Sequence, residues 1–95
     1  MVAGLCETSA ELTAGRAVAA RSLFYARSHD TIHLLMDAVR PAQPELAGEL
    51  EETKNELEVR FGYLFQDDDV GAEVDALLTA LAPVLAVVGG PTIDC

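Results

Sequence analysis

The chain has 95 residues and carries 16 acidic against 6 basic side chains, a formal net charge of −10 at pH 7. Its hydrophobic share of 51% is too high for a disordered acidic tail, so we expect a folded core. Six basic residues are too few to neutralise a run of phosphates, which argues against direct binding to nucleic acid or to an anionic membrane.

The excess of negative charge is confined to the second part of the chain. Residues 1–40 contain four arginines and four acidic residues, whereas residues 41–95 contain two basic residues and twelve acidic ones. A localised excess indicates an acidic surface with a binding role, and the alternative is a pair of helix faces that are acidic only because they are solvated.

The first predicted helical element runs from Thr8 to Arg40. Thr8 followed by Glu11 is the capping-box pattern, in which the hydroxyl and the carboxylate accept hydrogen bonds from backbone amides near the helix start. No proline interrupts the alanine-rich stretch before Pro41, which ends the element. Because residues 28–30 favour helix caps over helix interiors, we expect a break or kink there, with one continuous helix as the alternative.

A second, strongly amphipathic helix is predicted from Pro44, because proline is favoured in the first turn of a helix. Its apolar residues recur at helical spacings along one face: Leu46, Leu50, Leu57, Phe61 and Leu64. The rest of its surface is rich in glutamate. An acidic turn at residues 67–69 follows and can cap the next helix at its positive end.

A third helix is predicted from the spacing of apolar residues, which alternates between four and three: Val70, Val74, Leu77, Leu81, Val84 or Leu85, and Val88. Pro83 predicts either a kink or the start of a short final helix. Gly89 and Gly90 are a helix stop. The uncharged run from Ala76 to Ile93 is interpreted as a buried helix, because the glycines leave too short a helix to span a membrane.

These elements predict an all-α fold, a small antiparallel bundle of three to four helices in a single domain spanning residues 1–95, with frayed ends at about 1–7 and 90–95. The favoured function is non-catalytic, with no cofactor. We expect the chain to bind a basic protein partner and to form a homodimer that covers its remaining apolar surface. The residues predicted to bind the partner are Glu45, Glu49, Glu52, Glu56, Asp67, Asp68 and Asp69.

Two histidines offer an alternative function. His29 and His33 are four residues apart, and Asp37 lies four residues further on. On an unbroken helix this spacing places all three side chains on one face, where they could bind a divalent metal ion.

The segment from Ala26 to Ile32, followed by Leu34 and Leu35, resembles the phosphoacceptor box of one class of sensor histidine kinases. The resemblance covers about ten residues. It implies that His29 accepts a phosphoryl group with Asp30 as the assisting base. The chain would then be a histidine phosphotransfer module.

Gly89 and Gly90, followed by the tail of residues 91–95, are similar to the junction between the leader and the core peptide of ribosomally made natural products. This resemblance implies a precursor whose C-terminal core begins after Gly90. A helix stop followed by a frayed tail is the alternative interpretation.

The two cysteines, Cys6 and Cys95, lie near opposite ends of the chain. No segment with the features of a secretory signal opens the sequence, so we expect a cytoplasmic protein with both thiols reduced. A bond between them would close almost the whole chain into a ring.

Overall fold

A computed structural model describes residues 1–64 and 70–95 of the chain. Within these ranges it contains no strand and five helices, α1 (Val2–Thr13), α2 (Ala17–Arg27), α3 (His29–Val39), α4 (Pro44–Gly62) and α5 (Gly71–Val87). The predicted all-α class is confirmed. The predicted number of three to four helices is wrong, because the element expected to form one or two helices contains three.

The first helix begins at Val2, six residues before the predicted start. The Thr8 hydroxyl donates to the carbonyl oxygen of Gly4 at 2.7 Å, one turn back inside α1. The predicted capping box is therefore wrong, since the hydroxyl bonds within the helix. Leu5 is fully buried, so the terminal segment that was expected to fray belongs to α1 from Val2 onward and contributes to the core.

Gly15 ends α1 in the left-handed conformation, with φ at 78°. The amide of Gly15 donates to the carbonyl oxygen of Leu12 at 3.0 Å, and the amide of Arg16 donates to that of Glu11 at 2.8 Å. This pair of bonds is a Schellman motif, which glycine favours because it has no Cβ to clash. It explains the unpredicted break between α1 and α2.

The break expected at residues 28–30 is confirmed. Only Ser28 separates α2 from α3, with φ at −129°, and it is almost completely buried. Its hydroxyl donates to the carbonyl oxygen of Met1 at 3.1 Å, so the junction is fastened to the start of α1.

The later helices follow the predicted pattern. α4 begins at Pro44, and α5 ends before Gly89, which has a φ of 69°. Pro83 lies inside α5, so the predicted alternative of a helix restarting there is wrong. None of the described helices combines the length and apolar content that a membrane span requires.

One hydrophobic core joins all five helices. α1 packs mainly on α2, and α4 packs mainly on α5, while α3 contacts α2, α4 and α5. The largest fully buried side chains come from every helix and include Leu5, Phe24, Ile32, Phe61 and Leu77. Phe24 and Phe61 have ring centroids 5.7 Å apart, which links α2 to α4.

Gly4 permits the close approach of α1 to the junction between α2 and α3. A Cβ atom at this position would lie 2.7 Å from the Ser28 Oγ and 2.9 Å from the Arg27 Cβ. Gly48, in the interior of α4, has no atom within 4 Å of the corresponding point. The two glycines therefore differ in packing although both are helical.

We predict that Gly4→Ala lowers the free energy of unfolding by about 1–3 kcal/mol, because the added methyl group overpacks the contact with Ser28. The matched control, Gly48→Ala, should raise it by about 0.5–1 kcal/mol, since alanine loses less backbone entropy in a helix. Urea titrations followed by circular dichroism measure both. A stabilising Gly4→Ala would contradict the close approach.

Candidate functional site

Each of the six basic side chains forms a hydrogen bond or an ion pair with another residue of the protein. Arg21 donates to the carbonyl oxygen of Phe61 at 3.2 Å, which connects α2 to the end of α4. The other five form ion pairs within 4.0 Å of a carboxylate, and the pairs are Arg16–Glu11, Arg27–Glu7, Arg40–Glu51, Lys54–Glu58 and Arg60–Glu73. Arg27–Glu7 and Arg60–Glu73 connect residues of two different helices, and Arg40, directly after α3, pairs with a residue of α4, so the cations hold the helices together.

The Arg16–Glu11 pair spans the break between α1 and α2. Its hydrogen bonds lower the pKa of the Glu11 carboxyl and raise the pKa of the Arg16 guanidinium, because each group stabilises the charged form of the other.

Four predicted partner-binding residues lack such a cation. Glu45, Glu49, Glu52 and Glu56 are exposed on α4, and no basic side chain among the described residues lies within ion-pair distance of them. Their spacing of four, three and four places them in one row, which we call the acidic stripe. The stripe is about 16 Å long, at 1.5 Å per helical residue.

The acidic stripe continues into exposed apolar side chains. Val59 is 61% exposed and lies three residues after the last glutamate, and Tyr63, at the end of α4, is 73% exposed. A partner lying along α4 would therefore meet negative charge over most of its length and apolar surface at one end.

Two grooves run beside the acidic stripe. The larger has a volume of about 660 Å³ and is lined by Gly48, Glu51, Glu52, Asn55, Glu56, Val59, Arg60 and Glu73. The smaller has a volume of about 450 Å³ and is lined by Glu49, Glu52, Thr53, Glu56, Ala76, Thr79 and Ala80. Glu52 and Glu56 line both grooves, so they form the ridge between them.

The remaining predicted partner-binding residues, Asp67, Asp68 and Asp69, lie outside the described residues.

The predicted metal ligands do not form a metal site in the structure. His29 and His33 lie on α3 with ring centroids 4.7 Å apart, as the spacing predicted. However, no three His, Cys, Asp or Glu side chains among residues 1–64 and 70–95 are arranged to hold a metal ion, so Asp37 does not complete a ligand set with the histidines.

Both ring nitrogens of His29 contact carboxylates. Its Nε2 is 2.8 Å from Glu58 Oε1, and its Nδ1 is 3.0 Å from Asp30 Oδ1. A neutral imidazole donates only one of these bonds, whereas an imidazolium donates both. Phosphoryl transfer to Nε2 would require Glu58 to move away first.

Glu58 connects His29 to a buried lysine. Its Oε2 lies 2.5 Å from Lys54 Nζ, and the Lys54 side chain is only 3% exposed. Lys54 occupies a position on the core-facing side of α4, between Leu50 and Leu57. Sequence reasoning missed this network, although an i, i+4 pair of Lys54 and Glu58 is visible in the sequence.

Tyr25 lies beside this network, with its ring centroid 5.2 Å from that of His29. Partial burial raises the pKa of Tyr25, and the negative charge of Glu58 raises it further, while Arg21 opposes the shift.

The structure also bonds Cys6 to Cys95, so the expectation that both thiols are reduced is wrong for this structure. The tail after Gly90, which the leader-peptide resemblance would make a separate core peptide, is thereby joined to α1.

No family model, no characterised protein and no solved structure matches this chain.

We predict that Glu58→Gln lowers the free energy of unfolding by about 1–3 kcal/mol, because it leaves the buried Lys54 ammonium without its counter-charge. Glu51→Gln is the matched control on the same helix, since it breaks the exposed pair with Arg40 and should cost no more than about 1 kcal/mol. Urea unfolding measures both.

Glu58→Gln should also lower the pKa of Tyr25 towards its ordinary value, because it removes one of the two causes of the upward shift. Phenolate absorbance during an alkaline titration reports this change. Equal stability losses for Glu58→Gln and Glu51→Gln, with no change in the Tyr25 titration, would contradict the network.

Proposed function

We propose that this protein is non-catalytic and binds a basic protein partner along the acidic stripe of α4. The observation that supports the proposal is the distribution of ion pairs. The six basic side chains are engaged elsewhere, and Glu45, Glu49, Glu52 and Glu56 are exposed with no cation beside them among the described residues. Asp67, Asp68 and Asp69, which follow α4 in the sequence, are also proposed to bind the partner.

The partner surface proposed to fit the stripe is a helix with Lys or Arg repeating at spacings of four and three. Such a helix presents its cations in a row, as α4 presents its carboxylates. Side chains on either side of the row would enter the two grooves beside Glu52 and Glu56. An apolar side chain at one end would cover Val59 and Tyr63, which are largely exposed.

Electrostatic attraction of this kind accelerates association and weakens with salt, because counter-ions screen exposed charges over a Debye length of about 8 Å at physiological ionic strength. The stripe carries four carboxylates within about 16 Å, so a partner cation anywhere along it interacts with more than one of them. We therefore expect affinity for a basic partner to fall steeply between low and moderate salt.

Two further expectations from the sequence remain predictions. Homodimerisation would cover exposed apolar side chains such as Leu34 on α3, and light scattering would measure the mass in solution. A cytoplasmic location would place Cys6 and Cys95 in an environment that reduces disulfides, whereas the structure has them bonded.

We predict that a synthetic helical peptide with lysines at spacings of four and three binds the protein, and that Glu52→Lys combined with Glu56→Lys weakens binding at least tenfold. The loss follows from replacing attraction by repulsion at the ridge between the grooves. Fluorescence anisotropy of the labelled peptide, at low and at physiological salt, measures the affinities.

The matched control is Asp37→Lys combined with Asp94→Lys, which changes the net charge equally but at exposed positions outside α4. It should retain most of the affinity. Equal losses for the two double variants would show that only net charge matters and would contradict binding along the stripe.

A further inference from the structure

The bond between Cys6 and Cys95 fastens the segment of residues 88–95 to the first helix. Cys6 is a half-buried residue of α1, and Cys95 is an exposed residue beyond the end of α5. Their Cα atoms are 5.3 Å apart, although 89 positions separate them in the sequence. Gly89, with φ at 69°, turns the chain where α5 ends.

Backbone hydrogen bonds hold only the first part of this segment against the protein. The amides of Val88, Gly89 and Gly90 donate to carbonyl oxygens at the end of α5, and the residues after Gly90 belong to no helix or strand. Ile93 packs against the core, and all other residues of the segment are exposed. Beyond Gly90, one apolar side chain and the disulfide therefore provide most of the attachment.

We propose that the Cys6–Cys95 bond is a reversible clasp that a dithiol opens by attacking Cys95. A thiolate of the dithiol attacks the Cys95 Sγ, forms a mixed disulfide there and releases Cys6 as a thiolate, which takes up a proton. The second thiol of the dithiol then displaces Cys95. Both cysteines gain hydrogen, and the dithiol is oxidised to its disulfide, so two electrons are transferred.

Exposure favours attack at Cys95. A disulfide opens by approach of the thiolate to one of its sulfur atoms, and access to that sulfur is part of what sets the rate. Cys95 is exposed, whereas Cys6 is half-buried in α1, next to the fully buried Leu5.

The helices have their own contacts without the clasp. α1 keeps the buried Leu5, the internal bond from Thr8 to Gly4 and its packing against α2 and α5. Reduction therefore frees residues 91–95 while the five helices stay packed. Exposed disulfides of this kind are the labile and regulatory ones, and in a reducing compartment they serve redox sensing.

The clasp involves neither the acidic stripe nor the grooves on α4, so it is independent of the proposed binding function. Failure of either proposal leaves the other unaffected.

The site of attack is tested with glutathione, a monothiol that cannot complete the second step. The oxidised full-length protein is incubated with glutathione, quenched with acid, alkylated and mapped by peptide mass. We expect glutathione on Cys95 and the alkyl group on Cys6, in excess of the reverse pattern by tenfold or more. Glutathione found mainly on Cys6, or on both equally, would overturn the proposed direction of attack.

Direct access is tested by the rate of reduction with dithiothreitol in urea well below the unfolding transition. The rate should change less than twofold across this range, because the bond is attacked in the folded protein. A rate that rises in proportion to the unfolded fraction would show that the bond opens only after unfolding and would overturn the proposal.

Release of the segment is tested by nuclear magnetic resonance of the oxidised protein, the reduced protein and the Cys6→Ser/Cys95→Ser variant. In the last two, the heteronuclear relaxation of the Ile93 and Asp94 amides should become that of a mobile chain, while the signals of α3 and α4 keep their positions. Unchanged relaxation of Ile93, or loss of the dispersed signals of all helices, would overturn local release.

Discussion

The shortage of cations is the constraint on which the rest of the structure depends. Six basic side chains face 16 acidic ones, and each cation is engaged within the described chain. Arg27 joins α2 to α1, Arg40 joins the end of α3 to α4, and Arg60 joins α4 to α5. Because all the cations are engaged in such contacts, the carboxylates of the acidic stripe on α4 face solvent without one in the described part of the chain. The surface with the proposed binding role is therefore a consequence of the contacts that hold the helices together.

The sequence predicts best those features that depend on neighbouring residues. The periodic apolar residues of α4 and α5, the proline that starts α4 and the glycine that ends α5 all act within a few turns, and the structure confirms them. The exception is Val88, which lies just beyond α5 and is 47% exposed, so its predicted place among the packed residues is wrong. The start of α1 was not predicted because a threonine hydroxyl can either cap the start of a helix or donate to a carbonyl oxygen one turn back in its own helix. The Thr8 hydroxyl does the second. The break at Gly15 was missed because a glycine in an alanine-rich stretch signals a helix end only through its backbone conformation.

The acidic stripe could be predicted in part, because helical spacing is a local feature of the sequence. The row of Glu45, Glu49, Glu52 and Glu56 follows from helical spacing alone, but that these four lack cations follows only from where the six basic residues lie in three dimensions. Likewise, His29 lies beside Glu58 because α3 packs on α4, and Cys6 lies beside Cys95 because the chain returns to α1 after α5. Contacts between residues distant in sequence carry no local pattern from which they could be inferred.

The acidic stripe is uncompensated among the described residues, so its carboxylates repel one another, and the proposed basic partner would relieve this repulsion. Like charges four or three residues apart on a helix destabilise it by about 0.2–0.5 kcal/mol per pair at low salt. The most direct test is therefore the unfolding free energy of Glu52→Gln, which removes repulsion with both Glu49 and Glu56, at low and at high salt. We expect the variant to be more stable than the parent by about several tenths of a kcal/mol at low salt, and we expect the difference to vanish at high salt. A variant that is less stable than the parent at low salt would contradict repulsion along the acidic stripe.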